Sequence, residues 1–133
     1  PAPQGSKRHV GNGVMVESSK RCKPWRQDVR HTAMELLPDG WYANMGNAIL
    51  LSVTFVFARP KSHFRANGEL KPTAPRHCTG RIGDVSKLVR AVEDAMTGIV
   101  YNDDAQIIDL IAHRRFANDR EQPCAIITIT ALS

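Results

Sequence analysis

Four aspartates in the second half of the chain are the residues whose type and spacing best suit chemistry: Asp84, Asp94, Asp103 and Asp104. Carboxylates gathered at one place repel one another unless protons or cations intervene. A hard divalent cation is the natural partner, because Mg²⁺ takes oxygen ligands and often needs only one or two protein carboxylates. Near a DNA phosphate, such an ion activates water and stabilises the leaving oxygen. The aspartates therefore indicate a candidate metal site for phosphodiester chemistry.

The same aspartates also have simpler structural interpretations. Asp84 stands where a second helix is expected to begin, and aspartate is a good N-cap residue. Asp103 and Asp104 fall in the turn after that helix, and aspartate is common in turns. Spacing alone leaves both interpretations open. A metal site would need the helix, the turn and the next strand to bring a turn acid back near the helix face.

Charge is distributed unevenly along the chain. The 133 residues hold 18 Lys and Arg against 13 Asp and Glu, a net charge of +5. Residues 1–30 hold seven basic groups and two acidic ones, and residues 59–90 hold eight and two. Residues 91–113 hold five acids and neither Lys nor Arg. Basic surface attracts phosphates by counterion release, so the pattern predicts nucleic-acid-binding segments on both sides of an acidic block. Ordinary solvated surface is the alternative interpretation.

Length and composition exclude several other classes of protein. The length predicts a single domain over 1–133. Cys22, Cys78 and Cys124 are odd in number and form no CxxC pair, which argues against a disulfide framework and suits a reducing compartment. No apolar run approaches the roughly 18 residues of a membrane-spanning helix, so we expect no membrane association.

Hydrophobic periodicity predicts an α+β fold, a small mixed sheet with two helices packed on it in the order β–α–β–α–β–β. The Pro- and Gly-rich residues 1–13 are expected to form an extended loop. The first half is expected to hold a short strand at Gly13–Glu17, a helix from Lys23-Pro24-Trp25 to a stop at Pro38-Asp39-Gly40, and a strand at Ile49–Ala58. A basic loop at Arg59–Arg81 follows. The second half is expected to hold a helix from Asp84 to Thr97-Gly98, a strand within Ala105–Phe116, and a strand at Cys124–Leu132.

Residues 84–107, DVSKLVRAVEDAMTGIVYNDDAQI, carry a motif that closely resembles the signature of RusA-family Holliday junction resolvases. That signature runs D-x-D-[NK]-L-x-[KR], then D-A-[LM]-x-G, then D-D-x-Q-[IV]. The N-terminal PAPQGSKR and the later KPWR are similar to the phage-type branch of the family. The family usually begins with a strand just before Pro-x-Pro, so we expect an N-terminal strand to be missing from this chain.

The resemblance implies a RusA-like fold and a homodimeric, Mg²⁺-dependent endonuclease, with Mn²⁺ as a substitute metal. It implies that the enzyme resolves four-way (Holliday) DNA junctions by symmetric paired nicks, in recombination, repair or phage DNA processing. No small-molecule cofactor is expected. The implied location is the cytoplasm of a bacterial cell or of a phage-infected host.

The resemblance also assigns the site residues. The first metal-binding Asp of the family falls on Asp84, the second Asp of its D-D pair falls on Asp104 with Asp103 beside it, and Asp94 matches the acid of D-A-[LM]. We therefore expect Asp84, Asp94, Asp103 and Asp104 as metal ligands.

Two positions depart from the family pattern. Ser86 stands where the family has its middle Asp, so the site loses one negative charge. Arg90 stands where the family has an essential Lys, and Arg neutralises a phosphate but does not shuttle protons at ordinary pH. Lys87 is the alternative cation. Together with Asp84, Asp103 and Asp104, Arg90 and Lys87 complete the expected catalytic set.

Eight basic residues are expected to contact the DNA backbone, which positions the substrate without reading its sequence. They are Lys7, Arg8, Lys20, Arg21, Lys23, Arg26, Arg76 and Arg81. The competing hypothesis, motivated by Ser86, is a branched-DNA-binding protein with weakened or lost catalysis. A basic protein-interaction module is a third hypothesis, which the D-D-A-Q-I match disfavours.

Overall fold

The computed structural model describes residues 8–10, 13–15, 22–79 and 84–132, with side chains from residue 26 onward. The elements in chain order are β1 (Arg8–Val10), β2 (Gly13–Met15), α1 (Cys22–Leu36), β3 (Ala48–Phe57), α2 (Val85–Met96), β4 (Ile107–Phe116) and β5 (Cys124–Leu132). The predicted α+β class, with a small mixed sheet and two helices, is confirmed. Within the described residues, no helix is both long and apolar enough to cross a membrane.

The main sheet has three strands in the order β4-β3-β5. The central strand β3 runs parallel to β4 and antiparallel to β5. A parallel pair needs a crossover connection, and here α2 lies between β3 and β4 in the chain. As a result, the C-terminal end of α2 lies towards the end of the sheet where β3 and β4 begin.

The core lies between the two helices and one face of the sheet. Leu51 and Val53 of β3 alternate onto this face and are fully buried, as the strand pattern predicts. Val29 and Ala33 of α1 pack into the same cluster, together with Val92 of α2. The side chain of Trp25, at the expected start of this helix, lies outside the described residues.

One sequence-based expectation about an irregular segment was wrong. Arg8–Val10, expected within an extended loop, forms β1 and pairs antiparallel with β2. Only two residues, Gly11 and Asn12, separate the strands, and such a pair is typical of a tight hairpin. Each strand carries one β-branched residue, Val10 in β1 and Val14 in β2, within an otherwise loop-like composition.

The predicted basic loop 59–81 contains neither an α-helix nor a β-strand over its described part, 59–79, but it has local structure. It contains a short 3-10 turn at Lys61–His63, and Phe64 pairs with Leu70 in an isolated antiparallel bridge. The guanidinium of Arg59 lies 4.4 Å from the centre of the Phe116 ring. The same side chain donates to the Pro75 carbonyl at 2.8 Å. One basic side chain therefore ties the loop to the end of β4, a tertiary contact that composition does not reveal.

Candidate active site

Two adjacent acids, Glu93 and Asp94, lie in the last turn of α2. The negative end of the helix dipole is at this terminus, so carboxylates are unfavourable there. Asp94 is exposed and Glu93 is half-buried. Helix stability gives no reason for two acids at this place.

The backbone directly after α2 is fixed by three donors that converge on one carbonyl oxygen. The Thr97 N–H, the Thr97 hydroxyl and the Tyr101 hydroxyl all donate to the Glu93 carbonyl, at 3.1, 2.9 and 2.9 Å. Gly98 adopts a φ of 85°, which glycine takes without strain, and this lets the chain reverse direction. The Tyr101 side chain is fully buried, so the turn is anchored in the core.

The turn that carries Asp103 and Asp104 is organised by the side chain of Gln106. Its Oε1 accepts from the backbone N–H groups of Asn102 and Asp103, at 2.8 and 2.9 Å. Its Nε2 donates to the carbonyls of Met45 and Asn47, at 2.7 and 2.8 Å. Gln106 therefore links the turn to the segment that leads into β3.

Asp103 and Asp104 have different roles within this turn. The Asp103 side chain accepts from the Ala105 N–H at 2.9 Å and caps a short 3-10 turn at Asp104–Gln106. With Gln106 it forms a reciprocal capping box. Asp104 is the first residue of the 3-10 turn and is exposed. The Asp104 carboxylate is not the cap of this turn. Asp104, rather than Asp103, is therefore the better candidate to bind a ligand at the surface.

The charges of Asp94 and Asp104 converge on Glu93. Burial raises the pKa of the Glu93 carboxyl, and the charges of Asp104 and then Asp94 raise it further, whereas Arg90 lowers it. Burial and then the charge of Glu93 raise the pKa of the Tyr101 phenol. Tyr101 therefore stays protonated as a donor, and Glu93, Asp94 and Asp104 form one electrostatically coupled group, called here the acidic group.

The other predicted site residues lie towards the beginning of α2. Asp84 occupies the N-cap position but makes no side-chain capping hydrogen bond. Ser86, Lys87 and Arg90 are exposed on the helix, as is Asp84. Ten residues separate Asp84 from Asp94, which corresponds to about 15 Å along a helix axis. The structure thus brings Asp104 to the C-terminal end of α2 and leaves Asp84 at the other end.

The donor set is compatible with a hard cation. Among residues 26–79 and 84–132, no three His, Cys, Asp or Glu side chains converge as a metal-binding group. Mg²⁺ does not need three, because it keeps most of its water ligands and binds through one or two carboxylates. The exposed Asp94 and Asp104 supply oxygen donors of this kind. The residues present therefore fit Mg²⁺ held mainly through water.

The predicted DNA contacts are only partly described. Arg26 on α1 and Arg76 in the 59–79 loop are exposed. Arg8 lies in β1 and Lys23 in α1, with only their backbones described. The remaining four lie outside the described residues: Lys7, Lys20, Arg21 and Arg81. Their role as backbone contacts stays a prediction.

Neither of the two cysteines with described side chains, Cys78 and Cys124, forms a disulfide. Cys78 is buried, and burial raises the pKa of its thiol. A raised pKa lowers the thiolate fraction, so this cysteine is poorly suited to act as a nucleophile.

Fold and site together define an α+β domain with an exposed carboxylate site at the end of a helix, in a chain rich in basic residues. The family model described as endodeoxyribonuclease RusA matches residues 1–130, almost the entire length. The chain therefore belongs to the RusA endodeoxyribonuclease family, whose activity is junction-resolving cleavage of DNA. No curated protein matches the chain.

Sequence reasoning gave no role to two residues of this site. The sequence analysis includes Glu93 only in the acidic block of residues 91–113. Glu93 follows Asp84 by nine residues, which places the two on opposite sides of a helix. Its proximity to Asp104 depends on the path of the turn. Gln106 was visible within the D-D-A-Q-I motif, but its partners Met45 and Asn47 lie about sixty residues earlier in the chain. The D-D-A-Q-I motif could have drawn attention to Gln106, but it does not indicate the contact with Met45 and Asn47.

Proposed function

We propose that this protein is a Mg²⁺-dependent endonuclease that resolves four-way DNA junctions by paired, symmetric nicks, and that it acts as a homodimer. The observation that supports the proposal is the Gln106-anchored turn, which leaves Asp104 exposed and near enough to Glu93 for its charge to raise the pKa of that carboxyl. Family membership supports the reaction class.

Asp104 and Asp94 would hold the metal, with Glu93 beside them. When bound, Mg²⁺ supplies charge neutralisation at the phosphate and a more acidic water. Arg90 and Lys87 are exposed on α2 and would neutralise charge on the scissile phosphate. Arg26 and Arg76 would contact the DNA backbone, and Asp103 would keep the turn in shape.

The family resemblance and the geometry make different predictions about Asp84. The resemblance makes it a ligand with Asp104, whereas its position at the far end of α2 separates it from the acidic group. Mn²⁺ titration by calorimetry, without DNA, distinguishes the two assignments. We expect Asp94→Asn and Asp104→Asn to weaken Mn²⁺ binding at least tenfold and Asp84→Asn to weaken it less. If Asp84→Asn weakens Mn²⁺ binding as much as Asp104→Asn does, Asp84 is a ligand of the same metal ion.

The second candidate function is a branched-DNA-binding protein with weak or no catalysis, and Ser86 is the observation that favours it. Ser86 is an exposed neutral side chain where the family pattern has a carboxylate. One experiment separates the candidates: a synthetic four-way junction and a linear duplex of the same length are incubated with the full chain and Mg²⁺.

Paired nicks on the junction, with the duplex intact, support the nuclease. Tight junction binding without cleavage in Mg²⁺ or Mn²⁺ supports the binding protein. In that event Ser86→Asp tests the cause, because restored cleavage would locate the defect in the missing charge. Ser86→Ala is the matched control and should restore nothing.

A further inference from the structure

The loop after β3 carries a small hairpin whose two arms meet at Phe64 and Leu70. Two backbone hydrogen bonds flank this pair, from the Arg65 N–H to the Glu69 carbonyl at 2.7 Å and from the Lys71 N–H to the His63 carbonyl at 2.9 Å. Bonds in these two positions make Phe64 and Leu70 a non-hydrogen-bonded antiparallel pair, the kind in which opposite side chains lie closest. The segment is called here the 63–71 hairpin.

The turn of the 63–71 hairpin is specified by its own sequence. The Gly68 N–H donates to the Arg65 carbonyl at 2.9 Å and closes a four-residue turn. Gly68 has a φ of 88°, a conformation that glycine adopts without strain. The Asn67 side chain accepts from the Glu69 N–H at 3.0 Å. Local hydrogen bonds therefore give the tip of the hairpin a defined shape.

The base of the hairpin is fixed to the end of β4. The His63 ring meets the Phe116 ring edge to face, with ring centres 5.2 Å apart. The Arg59 guanidinium covers the Phe116 ring at 4.4 Å, and its Nη1 lies 3.3 Å from Nδ1 of His63. Because His63 directly precedes Phe64, these contacts hold Phe64 in a fixed position relative to the sheet.

The Phe64–Leu70 pair is exposed and is surrounded by positive charge. Phe64 is 37% exposed and Leu70 is 49% exposed. Since paired residues share one face of a hairpin, the two side chains form a continuous apolar surface, called here the apolar ridge. Residues 59–79 hold five Lys and Arg against the single acid Glu69. Three of these cations are exposed: Lys61, Arg65 and Arg76.

We propose that the 63–71 hairpin is a DNA wedge: the apolar ridge enters between two base pairs from the minor groove and kinks one arm of the bound DNA. Proteins that bend DNA use apolar side chains in this way, with Lys and Arg on the neighbouring phosphates. The surplus of cations favours DNA over a protein as the partner. The proposal rests on the DNA substrate of the proposed function and adds a contact that lies away from the cut.

The wedge and the acidic group lie at opposite ends of β4. Phe116, against which the hairpin is anchored, is the last residue of β4, whereas Asp104 precedes its first residue. Nine steps of about 3.3 Å separate the two ends of this strand by about 30 Å. B-DNA advances about 3.4 Å per base pair, so an arm that runs along β4 would be kinked about nine base pairs from the cut.

A 2-aminopurine scan along one arm of a four-way junction tests the wedge in the full chain. The fluorescence of this base analogue is quenched by stacking and rises where a base step opens. Divalent metal is omitted so that no strand is cut during the scan. We expect the unmodified chain to raise the fluorescence at one step, about nine base pairs from the cut mapped in Mg²⁺, or from the branch point if nothing is cut.

Phe64→Thr is the diagnostic variant, because Thr suits an extended backbone but offers no large apolar side chain. We expect it to abolish the rise and to lower junction affinity about tenfold, as expected for the loss of one aromatic contact with a base. Phe64→Leu keeps an apolar side chain and should keep the rise. Met34→Thr is the matched control, since Met34 is 60% exposed on α1, and it should change neither quantity.

The scan with the unmodified chain decides the proposal even if Phe64→Thr does not fold, because a chain that opens no step overturns it. A rise that persists in a folded Phe64→Thr also overturns it. Unchanged junction affinity of Phe64→Thr, with no opened step, would assign the apolar ridge to a protein partner instead.

The cleavage assay separates this inference from the proposed function. A junction that is cut in Mg²⁺ without any opened step would leave the nuclease standing and defeat the wedge. An opened step without cleavage in Mg²⁺ or Mn²⁺ would leave the wedge standing and defeat the nuclease. The two results are independent, because Phe64 and Leu70 lie outside the acidic group.

Discussion

Replacement of Gln106 by alanine should both destabilise the fold and uncouple the Asp104 turn from β3. The side chain makes four hydrogen bonds, two to the half-buried carbonyls of Met45 and Asn47 and two from exposed N–H groups. A net value of about 1 kcal/mol for each half-buried bond, and about half of that for each exposed one, gives a loss of about 3 kcal/mol. For a chain of this size the melting temperature should fall by roughly 10 °C.

Urea unfolding monitored by circular dichroism measures this loss. Gln27→Ala is the matched control, because Gln27 is exposed on α1 and should change the free energy of unfolding by less than about 0.5 kcal/mol. Gln106→Glu is a second probe. It keeps the acceptor for the two N–H groups but places a carboxylate against two carbonyls, so it should destabilise the protein at least as much as alanine at pH 7.

Cleavage by Gln106→Ala should fall more than its stability explains. A displacement of about 1 Å at a catalytic group costs on the order of 10²-fold in rate. At a temperature where the variant is folded, we expect slower junction cutting with unchanged junction affinity. A Gln106→Ala variant whose free energy of unfolding lies within about 0.5 kcal/mol of that of the unmodified chain, and which cuts junctions at the normal rate, would refute the assignment of Gln106 as the anchor of the turn.

Two further predictions concern hydrogen bonds away from the metal. Glu121→Gln should cost about 1 kcal/mol at pH 7, because Glu121 pairs with both terminal nitrogens of Arg115 at 2.6 and 2.8 Å. Since this pair lowers the pKa of Glu121, its stabilisation is present above the ordinary pKa and is lost as the pH falls through the lowered one. The difference in melting temperature between Glu121→Gln and the unmodified chain should therefore be smaller at pH 3 than at pH 7. An equal difference at the two pH values would contradict this pH dependence. Tyr101→Phe should cost only about 1 kcal/mol in urea unfolding, because the Glu93 carbonyl keeps its two donors from Thr97. A loss of several kcal/mol would show that the phenol does more than this bond.

The regular elements were accessible from sequence because burial follows local periodicity. β3 was expected at Ile49–Ala58 and lies at Ala48–Phe57, and α2 ends before Thr97-Gly98 as expected. The strand expected within Ala105–Phe116 begins at Ile107, because its first residues close a 3-10 turn around Gln106. A single-turn helix is too short to leave a periodic signal.

The contacts between distant segments were not accessible in this way. Arg59 carries a charge that composition assigns to a DNA-binding loop, yet its guanidinium packs on Phe116. The charge of Asp104 acts on the pKa of Glu93 across a turn that hydrogen bonds from Thr97 and Tyr101 hold in place. The motif identified the aspartates. The arrangement of the acidic group depends on hydrogen bonds that the spacing of residues in the sequence does not reveal.

Junction cleavage by Asp104→Asn, measured beside its affinity for the same junction, tests the central claim most directly. Asp119→Asn is the matched control, because Asp119 is equally exposed but lies in the turn before β5. The account predicts that Asp104→Asn loses on the order of 10²–10³-fold in cutting rate, by analogy with the loss of one catalytic group. It also predicts that junction affinity and the Asp119→Asn control stay within about twofold of the unmodified chain. Unchanged cutting by Asp104→Asn would contradict the assignment of the acidic group as the catalytic centre.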